Sequence, residues 1–333
     1  MNKISWLIIF ILRTNIIFSN EFNKNSKIYV AGHTGLVGST IVKKLLDNGF
    51  KNIITYTSNQ LDLRNQEMVE RFFESEKPEY VFLAAAKVGG IKANIEKPAD
   101  FIYDNLMIST NIIHAAYKHK VKKLLFLGSS CIYPKNYTEP IKESYLLSGP
   151  LEPTNEFYSI AKIAGLKLCE AYNKQHGTKF IACMPTNIYG PGDNFDINNC
   201  HVLSALINKF VNAKNNNLES VTVWGTGSAY REFLGAEDLA DACLFLMQNY
   251  QDNEIINVGR GEDISIKDLA YKIKNLVGFK GEIIFDTTKP DGMKRKLLDV
   301  SKINNLGWKA QINLDEGLKK TIDWYIKNQE NKK

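Results

Sequence analysis

Short apolar runs alternate with helix-period segments through the first half of the chain. The runs KIYVA, NIITYT, YVFLAAA and KLLFLGS begin at residues 27, 52, 80 and 123. Apolar residues recur at helical spacing between them, with Ile41, Leu45 and Leu46 on one face, and further helices are predicted over about 66–76 and 105–118. Apolar strands separated by helices are typical of a parallel sheet covered on both faces, joined by right-handed crossovers. The pattern therefore predicts an α/β fold with a doubly wound parallel sheet.

Three glycines stand between the first predicted strand and the first predicted helix. Gly32, Gly35 and Gly38 lie in the stretch AGHTGLVGS. Glycines let the backbone turn tightly and approach a pyrophosphate, whose charge is met by the N–H groups at the start of the helix. A strand, a glycine turn and a helix in this order predict a dinucleotide site of the Rossmann type.

Tyr158 and Lys162 are four residues apart in the predicted helix EFYSIAKIAGLKLCEAYNKQHG, so their side chains share one face. A phenol ordinarily has a pKa of ~10, and a nearby ammonium favours the phenolate. We therefore expect Lys162 to lower the pKa of Tyr158, and we expect the pair to transfer protons near Ser129, at the end of the strand before them.

The composition narrows the class of partner. The chain has 333 residues, 44% of them hydrophobic, which is enough apolar material for a large core. Lys and Arg number 42 against 36 Asp and Glu, and they are scattered rather than gathered in a stripe, so no nucleic-acid partner is expected. The five cysteines form no CxxC pair and no cluster with metal-ligand spacing, which predicts a reducing compartment and no metal site.

Residues 1–26 form a leader that we expect to lie outside the fold. The apolar run from Trp6 to Leu12 is too short to span a bilayer, so no membrane segment is predicted, but it is long enough for the core of a signal peptide. No small-x-small cleavage site follows it. Location in the cytoplasm is therefore expected, with the secretory pathway as the alternative if residues 1–20 act as a signal.

Cys131 and His201 each have two open interpretations. Cys131 follows a buried strand, where a lone cysteine is usually a small core residue, and His201 opens a predicted amphipathic helix, which it could cap. A thiol with a pKa of ~8.5 and an imidazole with one of ~6.5 are also suited to proton transfer near neutral pH. The residues alone do not decide between structure and catalysis.

The chain resembles the GDP-L-fucose synthases, epimerase-reductases of the extended short-chain dehydrogenase/reductase superfamily, over about residues 27–328. The motifs that carry the resemblance are GHTGLVG, LAAAKVGGIKAN, PADFIYDN, LLFLGSSCIYP, EPTNEFYSIAKIAGLKLCEAYN, MPTNIYGPGDNF, VTVWGTG, REFL and TKPDGMKRKLLDV. It implies two steps in one site. GDP-4-keto-6-deoxy-D-mannose is epimerised at C3 and C5, and hydride from NADPH then reduces C4 to give GDP-L-fucose.

The resemblance implies roles for the matching residues. Cys131 is the expected epimerisation base and His201 the acid, while Ser129 and Tyr158 hold the C4 carbonyl and Lys162 holds the nicotinamide ribose. The residues implied for NADPH are Gly32, His33, Thr34, Gly35, Leu36, Val37, Gly38, Ser58, Asp62, Leu63, Leu127, Gly128, Ser129, Ser130, Lys162, Pro185, Thr186, Asn187, Ile188 and His201.

The positions that bind the GDP-sugar in the family are occupied here by Lys209, Trp224, Arg231, Asp291 and Lys296. Lys209 and Arg231 suit a diphosphate, because Arg offers a planar fork of donors. Trp224 is equally consistent with a core aromatic on a strand, and Asp291 with a turn residue in KPDG.

The resemblance also bears on organisation. Residues 27–190 are expected to form mainly the NADP-binding Rossmann domain, and residues 191–330 mainly a smaller, interleaved substrate-binding lobe. Two long amphipathic helices suit the four-helix contact of a homodimer.

Several departures from the family and two alternatives stay open. Thr34 and Ser58 stand where some members have arginines that suit the 2′-phosphate of NADPH, and Gly192 and Gly235 stand where histidine is common. One alternative is an epimerase or dehydratase for another nucleotide sugar, although a 4,6-dehydratase usually has a Thr-Asp-Glu type segment at residues 129–131. The other is a nucleotide-sugar-binding protein without turnover.

Overall fold

The computed structural model describes residues 22–197, 199–289 and 291–330. The elements of the first half are β1 (Ile28–Ala31), α1 (Leu36–Asp47), β2 (Ile53–Ile54), α2 (Gln66–Glu76), β3 (Tyr80–Leu83), α3 (Ile91–Glu96), α4 (Pro98–Lys118), β4 (Lys123–Leu127), α5 (Glu156–His176) and β5 (Phe180–Pro185). Those of the second half are β6 (Asn187–Tyr189), α6 (Val202–Asn215), β7 (Ser220–Trp224), β8 (Tyr230–Gly235), α7 (Ala236–Asn249), β9 (Ile256–Val258), β10 (Asp263–Ser265), α8 (Ile266–Val277), β11 (Glu282–Asp286), β12 (Arg295–Lys296), α9 (Ser301–Asn305) and α10 (Leu314–Glu330).

The central sheet is parallel, with the strand order β2-β1-β3-β4-β5-β9. Strands β1, β3, β4 and β5 are buried along their whole length, because α1 and α7 pack together over the sheet, as do α2, α4 and α5. The predicted doubly wound α/β fold is confirmed.

The second half of the chain contributes to two regions. Helix α7 and strand β9 complete the central sheet and its cover. Strand β8 pairs with β6, β10 and β12, and β7 pairs with β11, beside a second apolar cluster that includes Phe210, Leu269 and Ile273. This arrangement brings β12, near the end of the chain, next to the sheet that carries β4.

Two details of the predicted helices are corrected. Helix α4 begins at Pro98, about seven residues before the predicted start, because proline is well suited to a first helical turn. Leu46 is 57% exposed, whereas Ile41 and Leu45 are buried. Ile41 and Leu45 are four apart and share a face, and Leu46 lies about 100° further round the helix.

The predicted end of the leader is wrong, because residues 22–26 belong to the fold. Phe22 is buried, with its ring centroid 4.7 Å from that of Tyr80 and 4.9 Å from that of Phe50. Ser26 is also buried, and its Oγ accepts a hydrogen bond from the N–H of Asn23 at 2.9 Å. The possible signal at residues 1–20 lies outside the described residues. Among the described residues, none of the helices has both the length and the apolar character needed to cross a bilayer.

Candidate active site

The glycine turn after β1 brings backbone against backbone. Gly32 has a φ of +86°, and a Cβ there would lie 2.7 Å from Cα of Ala85. A Cβ on Gly38 would lie 2.1 Å from the carbonyl oxygen of Gly32. Gly35 is the N-cap of α1 and has no side chain that could occupy the first N–H groups of the helix. This cradle fits the pyrophosphate of a dinucleotide.

Four more residues predicted for NADPH follow strands β1 and β2 in the sequence: Thr34, Ser58, Asp62 and Leu63. Thr34 and Ser58 are both exposed. Asp62 accepts a hydrogen bond from Arg64 Nε at 2.9 Å, and this bond holds the pKa of the Asp62 carboxyl below its usual range. The carbonyl of Leu63 accepts from Asn111 Nδ2 at 2.9 Å. Because Thr34 and Ser58 are exposed, their hydroxyl groups are available to hydrogen-bond a ligand.

The segment after β4 turns sharply. The N–H of Gly128 donates to the carbonyl of Cys183 at 2.9 Å, and a Cβ at Gly128 would lie 2.4 Å from the sulfur of Met184. Ser129 then precedes a short 3-10 turn and accepts a hydrogen bond at its Oγ from the N–H of Cys131 at 3.2 Å. The turn places the predicted serine and cysteine directly after the end of β4.

Tyr158 and Lys162 lie on α5 beside this turn. Lys162 Nζ donates to the carbonyl of Leu127 at 2.7 Å and lies 5.8 Å from the centroid of the Tyr158 ring. Burial lowers the pKa of Lys162 to about 8. Burial also raises the pKa of Tyr158 above its ordinary value, and the charge of Cys131 raises it further, against a hydrogen bond with Ser129. The expectation that Lys162 lowers the pKa of Tyr158 is thus wrong, because desolvation of the phenol has the largest effect on that pKa.

The Cys131 thiol has three polar neighbours. Asn155 Nδ2 donates to its Sγ at 3.2 Å, and Lys296 Nζ donates to it at 3.4 Å. Burial raises the pKa of the thiol, but the Lys296 charge and the hydrogen bonds from Ser129, Lys296 and Asn155 outweigh it, so the pKa lies below its ordinary value. A depressed pKa and partial exposure are typical of a reactive cysteine rather than a packing residue.

His201 is the N-cap of α6, but its side chain makes no capping hydrogen bond. His201 is an exposed residue. Desolvation lowers the pKa of His201, the Asp193 carboxylate opposes this effect, and Lys296 adds to it, for a net decrease. The capping interpretation from the sequence is therefore wrong.

The loop before His201 is docked on the loop after β3. The N–H of Gly90 donates to the carbonyl of Asn199 at 3.1 Å. A Cβ on Gly90 would lie 2.8 Å from the carbonyl oxygen of Cys200, so a larger residue would push the two loops apart. This contact sets where His201 stands relative to the sheet.

The loop predicted to lie along the nicotinamide, residues 185–188, is held by the backbone carbonyl of Glu232. Pro185 ends β5, and the Oγ1 of Thr186 and Nδ2 of Asn187 donate to the carbonyl of Glu232 at 3.2 and 2.8 Å. Ile188 continues into β6. The Glu232 carboxylate, which is fully buried, accepts from the N–H groups of Gly261 at 2.7 Å and Leu298 at 3.0 Å.

The residues predicted for the nucleotide sugar lie around β7 and β8. Trp224 is 58% exposed, so the interpretation as a core aromatic is wrong, and the ammonium groups of Lys209 and Lys289 lie 6.0 and 5.7 Å from its ring centroid. Lys209 Nζ also donates to the carbonyl of Thr222 at 2.8 Å. An exposed indole flanked by cations offers a flat surface for a base.

Arg231 and Asp291 are fixed by local hydrogen bonds. Arg231 Nη1 donates to the carbonyls of Tyr230 at 2.7 Å and Met293 at 2.6 Å, which leaves other donors of the fork available. The Asp291 carboxylate accepts from the N–H of Thr226 at 2.7 Å and from its Oγ1 at 2.8 Å. The Asp291 carboxylate therefore anchors the loop between β7 and β8. Lys296, which is also predicted for the sugar, lies against Cys131.

Sequence reasoning missed Asn155, Glu232, Asp193 and Lys289. Asn155 stands three residues before Tyr158 in a quoted motif, and Glu232 follows Arg231 in REFL. The positions of both residues next to predicted site residues could therefore have indicated them. Asp193 and Lys289 also stand in quoted motifs, GPGDNF and TKPDG, but the fold is needed to place them beside His201 and Trp224. Among the described residues, no group of three or more His, Cys, Asp or Glu gathers as a metal site.

The chain is similar to known proteins along most of its length. The model of the NAD dependent epimerase/dehydratase family matches residues 28–259. Putative GDP-L-fucose synthase 2 of Arabidopsis thaliana is 59% identical over 310 residues, which are 93% of this chain and 94% of the relative.

Solved structures are similar along nearly the whole chain. A GDP-L-fucose synthetase from Naegleria fowleri bound to NADP has 32% identity and a TM-score of 0.86, over 92% of this chain and 95% of that one. A GDP-6-OMe-4-keto-L-xylo-heptose reductase from C. jejuni has 42% identity and a TM-score of 0.88, over 92% and 99%.

Proposed function

Because this chain belongs to the GDP-L-fucose synthases, within the NAD dependent epimerase/dehydratase family, we propose that it converts GDP-4-keto-6-deoxy-D-mannose to GDP-L-fucose. The enzyme epimerises C3 and C5 and then reduces the C4 ketone with NADPH. The observation that carries the proposal is the Cys131 thiol, held by Asn155 and Lys296 beside the Ser129 and Tyr158 pair. An enzyme that only reduced a ketone would have no use for a thiolate there.

Epimerisation uses Cys131 and His201 on the two faces of the sugar. The carbons C3 and C5 flank the ketone, so their protons are acidified, and inversion needs a proton removed from one face and one returned to the other. The Cys131 thiolate is the base and His201 is the acid. The lowered pKa of Cys131 favours its thiolate, and the lowered pKa of His201 makes its imidazolium a stronger acid.

The reduction step uses Ser129, Tyr158 and Lys162. Tyr158 is the proton donor to the C4 oxygen, and its raised pKa keeps the phenol protonated until charge develops on that oxygen. Ser129 shares the carbonyl oxygen. Lys162, fixed by the carbonyl of Leu127, places a positive charge next to the phenol.

NADPH supplies the hydride when it is bound. The backbone of residues 32–38 would hold its pyrophosphate, the Ser129–Ser130 turn and Lys162 its nicotinamide ribose, and residues 185–188 would lie along its nicotinamide. Thr34 and Ser58 would offer hydroxyl hydrogen bonds to the 2′-phosphate.

The lobe formed mainly by residues 191–330 binds the nucleotide sugar. Trp224 stacks on the guanine, and Lys209 and Arg231 meet the diphosphate. Asp291 supports this surface through the Thr226 turn. Residues 22–190 form mainly the NADP-binding domain, with α7 and β9 added from the second half.

The enzyme acts as a homodimer in the cytoplasm. Support for a dimer comes from exposed apolar side chains on the two long helices, Tyr103 on α4 and Phe157 and Ile160 on α5. Support for a reducing compartment comes from the five cysteines, all of which are free thiols.

Product identification tests the proposed function. Purified protein is incubated with GDP-4-keto-6-deoxy-D-mannose and NADPH, and the sugar is characterised by NMR. GDP-L-fucose is the expected product. A GDP-6-deoxyhexose reduced at C4 without inversion at C3 and C5 would show a reductase only, and no NADPH consumption would contradict the proposal entirely.

A further inference from the structure

Asn155 occupies a helix N-cap without capping the helix. Asparagine is among the preferred N-cap residues because its side chain can accept a hydrogen bond from the first turn. Asn65 does so at the start of α2, where its Oδ1 accepts from the N–H of Met68 at 3.0 Å. Asn155 precedes α5 and makes no such bond. The side chain of Asn155 therefore has a role other than capping the helix.

The Asn155 amide faces the reaction site. Its Nδ2 donates to the Sγ of Cys131 at 3.2 Å. Its Oδ1 is buried and has no hydrogen-bond partner among the described residues, a condition shared there only by His33 Nδ1. Lys296 favours the thiolate form of Cys131, and a thiolate must face the amide N–H rather than the amide oxygen, so the orientation of the amide is fixed.

A buried acceptor without a partner costs free energy, so native proteins almost always pair it, and a substrate bound beside Cys131 can supply the partner. The thiolate must approach C3 to remove its proton, which brings the substituents of C3 close to the amide. The hydroxyl on C3 is the one of these that can donate a hydrogen bond.

We propose that Asn155 is a positioning and specificity residue for epimerisation: its Nδ2 holds the Cys131 thiolate, and its Oδ1 accepts a hydrogen bond from the C3 hydroxyl of the keto sugar. The hydrogen bond to the sugar rests on the proposed function, whereas the contact between Asn155 and the Cys131 thiolate does not. A sugar without the C3 hydroxyl leaves the acceptor unpaired, which is how a polar site rejects a deoxy analogue.

The first experiment measures the thiol in the free protein, without any substrate. The rate of alkylation by iodoacetamide is followed against pH, and Cys131→Ser identifies the signal that belongs to Cys131. Asn155→Ala should slow alkylation of Cys131 at pH 7 by roughly tenfold, because a hydrogen bond to a charged group is lost. Asn65→Ala is the matched control, since it removes a true cap and should leave the alkylation rate unchanged. An unchanged rate in Asn155→Ala would overturn the positioning role.

The second experiment compares GDP-4-keto-6-deoxy-D-mannose with its 3-deoxy analogue, by kcat/KM for deuterium exchange at C5 in D₂O. The native enzyme should prefer the hydroxylated sugar by about tenfold or more, and Asn155→Ala should not discriminate. Equal discrimination by both proteins would overturn the acceptor role. If the native enzyme exchanges neither sugar, the proposed function fails while the alkylation result stands.

Asn155→Asp keeps the inference testable if the alanine variant does not fold. Aspartate has the same shape and keeps an acceptor but loses the N–H donor and adds negative charge. It should slow alkylation of Cys131 and still discriminate against the 3-deoxy sugar. Native-like alkylation in this variant would contradict the proposal.

Discussion

Lys296 Nζ lies 3.4 Å from the Sγ of Cys131, although the two residues are 165 positions apart in the sequence. Lys296 is buried, so its ammonium is poorly screened by water and acts on the thiol at close range. The contact joins the end of β12 to the turn after β4. It gives the thiol a counter-charge that the neighbouring sequence does not contain.

Replacing Lys296 by methionine should move the acid limb of the epimerisation pH profile to higher pH. The base must be a thiolate, which exists above the thiol pKa, and Lys296 depresses that pKa. Without the ammonium the pKa rises, and the exchange rate at pH 7 should fall by roughly tenfold or more. Deuterium exchange measured from pH 5 to 9 checks this, with the exposed Lys43→Met on α1 as the control lysine. An acid limb that stays in place would show that Lys296 does not tune the thiol.

Cys131→Ser should separate epimerisation from reduction. Serine nearly preserves volume but cannot act as a base near neutral pH, so the variant should not exchange protons at C3 and C5 with D₂O. Reduction through Tyr158 should survive and give an unepimerised GDP-6-deoxyhexose. His201→Asn should still exchange protons but invert slowly, because removal continues and return on the opposite face fails. GDP-L-fucose formed by Cys131→Ser at a near-native rate would make the cysteine structural.

Tyr158→Phe should lower ketone reduction by about 10²–10⁴, the usual contribution of a general acid. The cofactor should still bind, because the backbone cradle at Gly32 is untouched. NADPH consumption is measured at saturating sugar, and NADPH affinity by fluorescence. Tyr172→Phe, on the far part of the same helix, serves as control. Half the native activity in Tyr158→Phe would remove it as the proton donor.

The preference for NADPH over NADH should be modest. Thr34 and Ser58 can offer hydroxyls but no positive charge to a 2′-phosphate, and each charge-assisted contact is worth roughly 1.5–3 kcal/mol. Thr34→Arg should raise the preference by tenfold or more. The ratio of kcat/KM for the two cofactors measures it, and a native preference of several thousandfold would reveal another phosphate ligand.

Phe22→Ala should destabilise the enzyme by about 3 kcal/mol, because it removes a buried aromatic ring. The exposed Leu46→Ala is the control and should change the free energy of unfolding by less than ~0.5 kcal/mol. Urea unfolding at pH 7 compares them. If Phe22→Ala matched Leu46→Ala, residues 22–26 would not contribute to the stable core, and a chain starting at Lys27 would be as stable as the full one.

The fold was largely predictable, because the local pattern of apolar and polar residues indicates most of its strands and helices. Buried strands such as β3 and β4 appear as apolar runs, and α2 was predicted with its observed bounds. Residues 22–26 were missed because Phe22 is a single buried aromatic with no period around it.

The site was predictable in its members but not in its contacts. Tyr158 and Lys162 are four apart on one helix, so their proximity is local. The contact of Lys296 with Cys131 was missed, because nothing in the sequence near β12 indicates that the strand ends against the Cys131 turn. The raised pKa of Tyr158 was also missed, since desolvation depends on packing that the sequence does not display.

The distance along the chain between Cys131 and Lys296 also sets an order of events during synthesis. At ~5–20 residues per second, the ribosome needs roughly 10–30 s to add the 165 residues that separate them. The strands up to β5 can associate before β12 exists, so the turn that carries Cys131 can form before its counter-charge has been synthesised. A nascent chain thus has Ser129 and Asn155 beside the thiol before it has Lys296, and the thiol gains its cation only when the last strand docks.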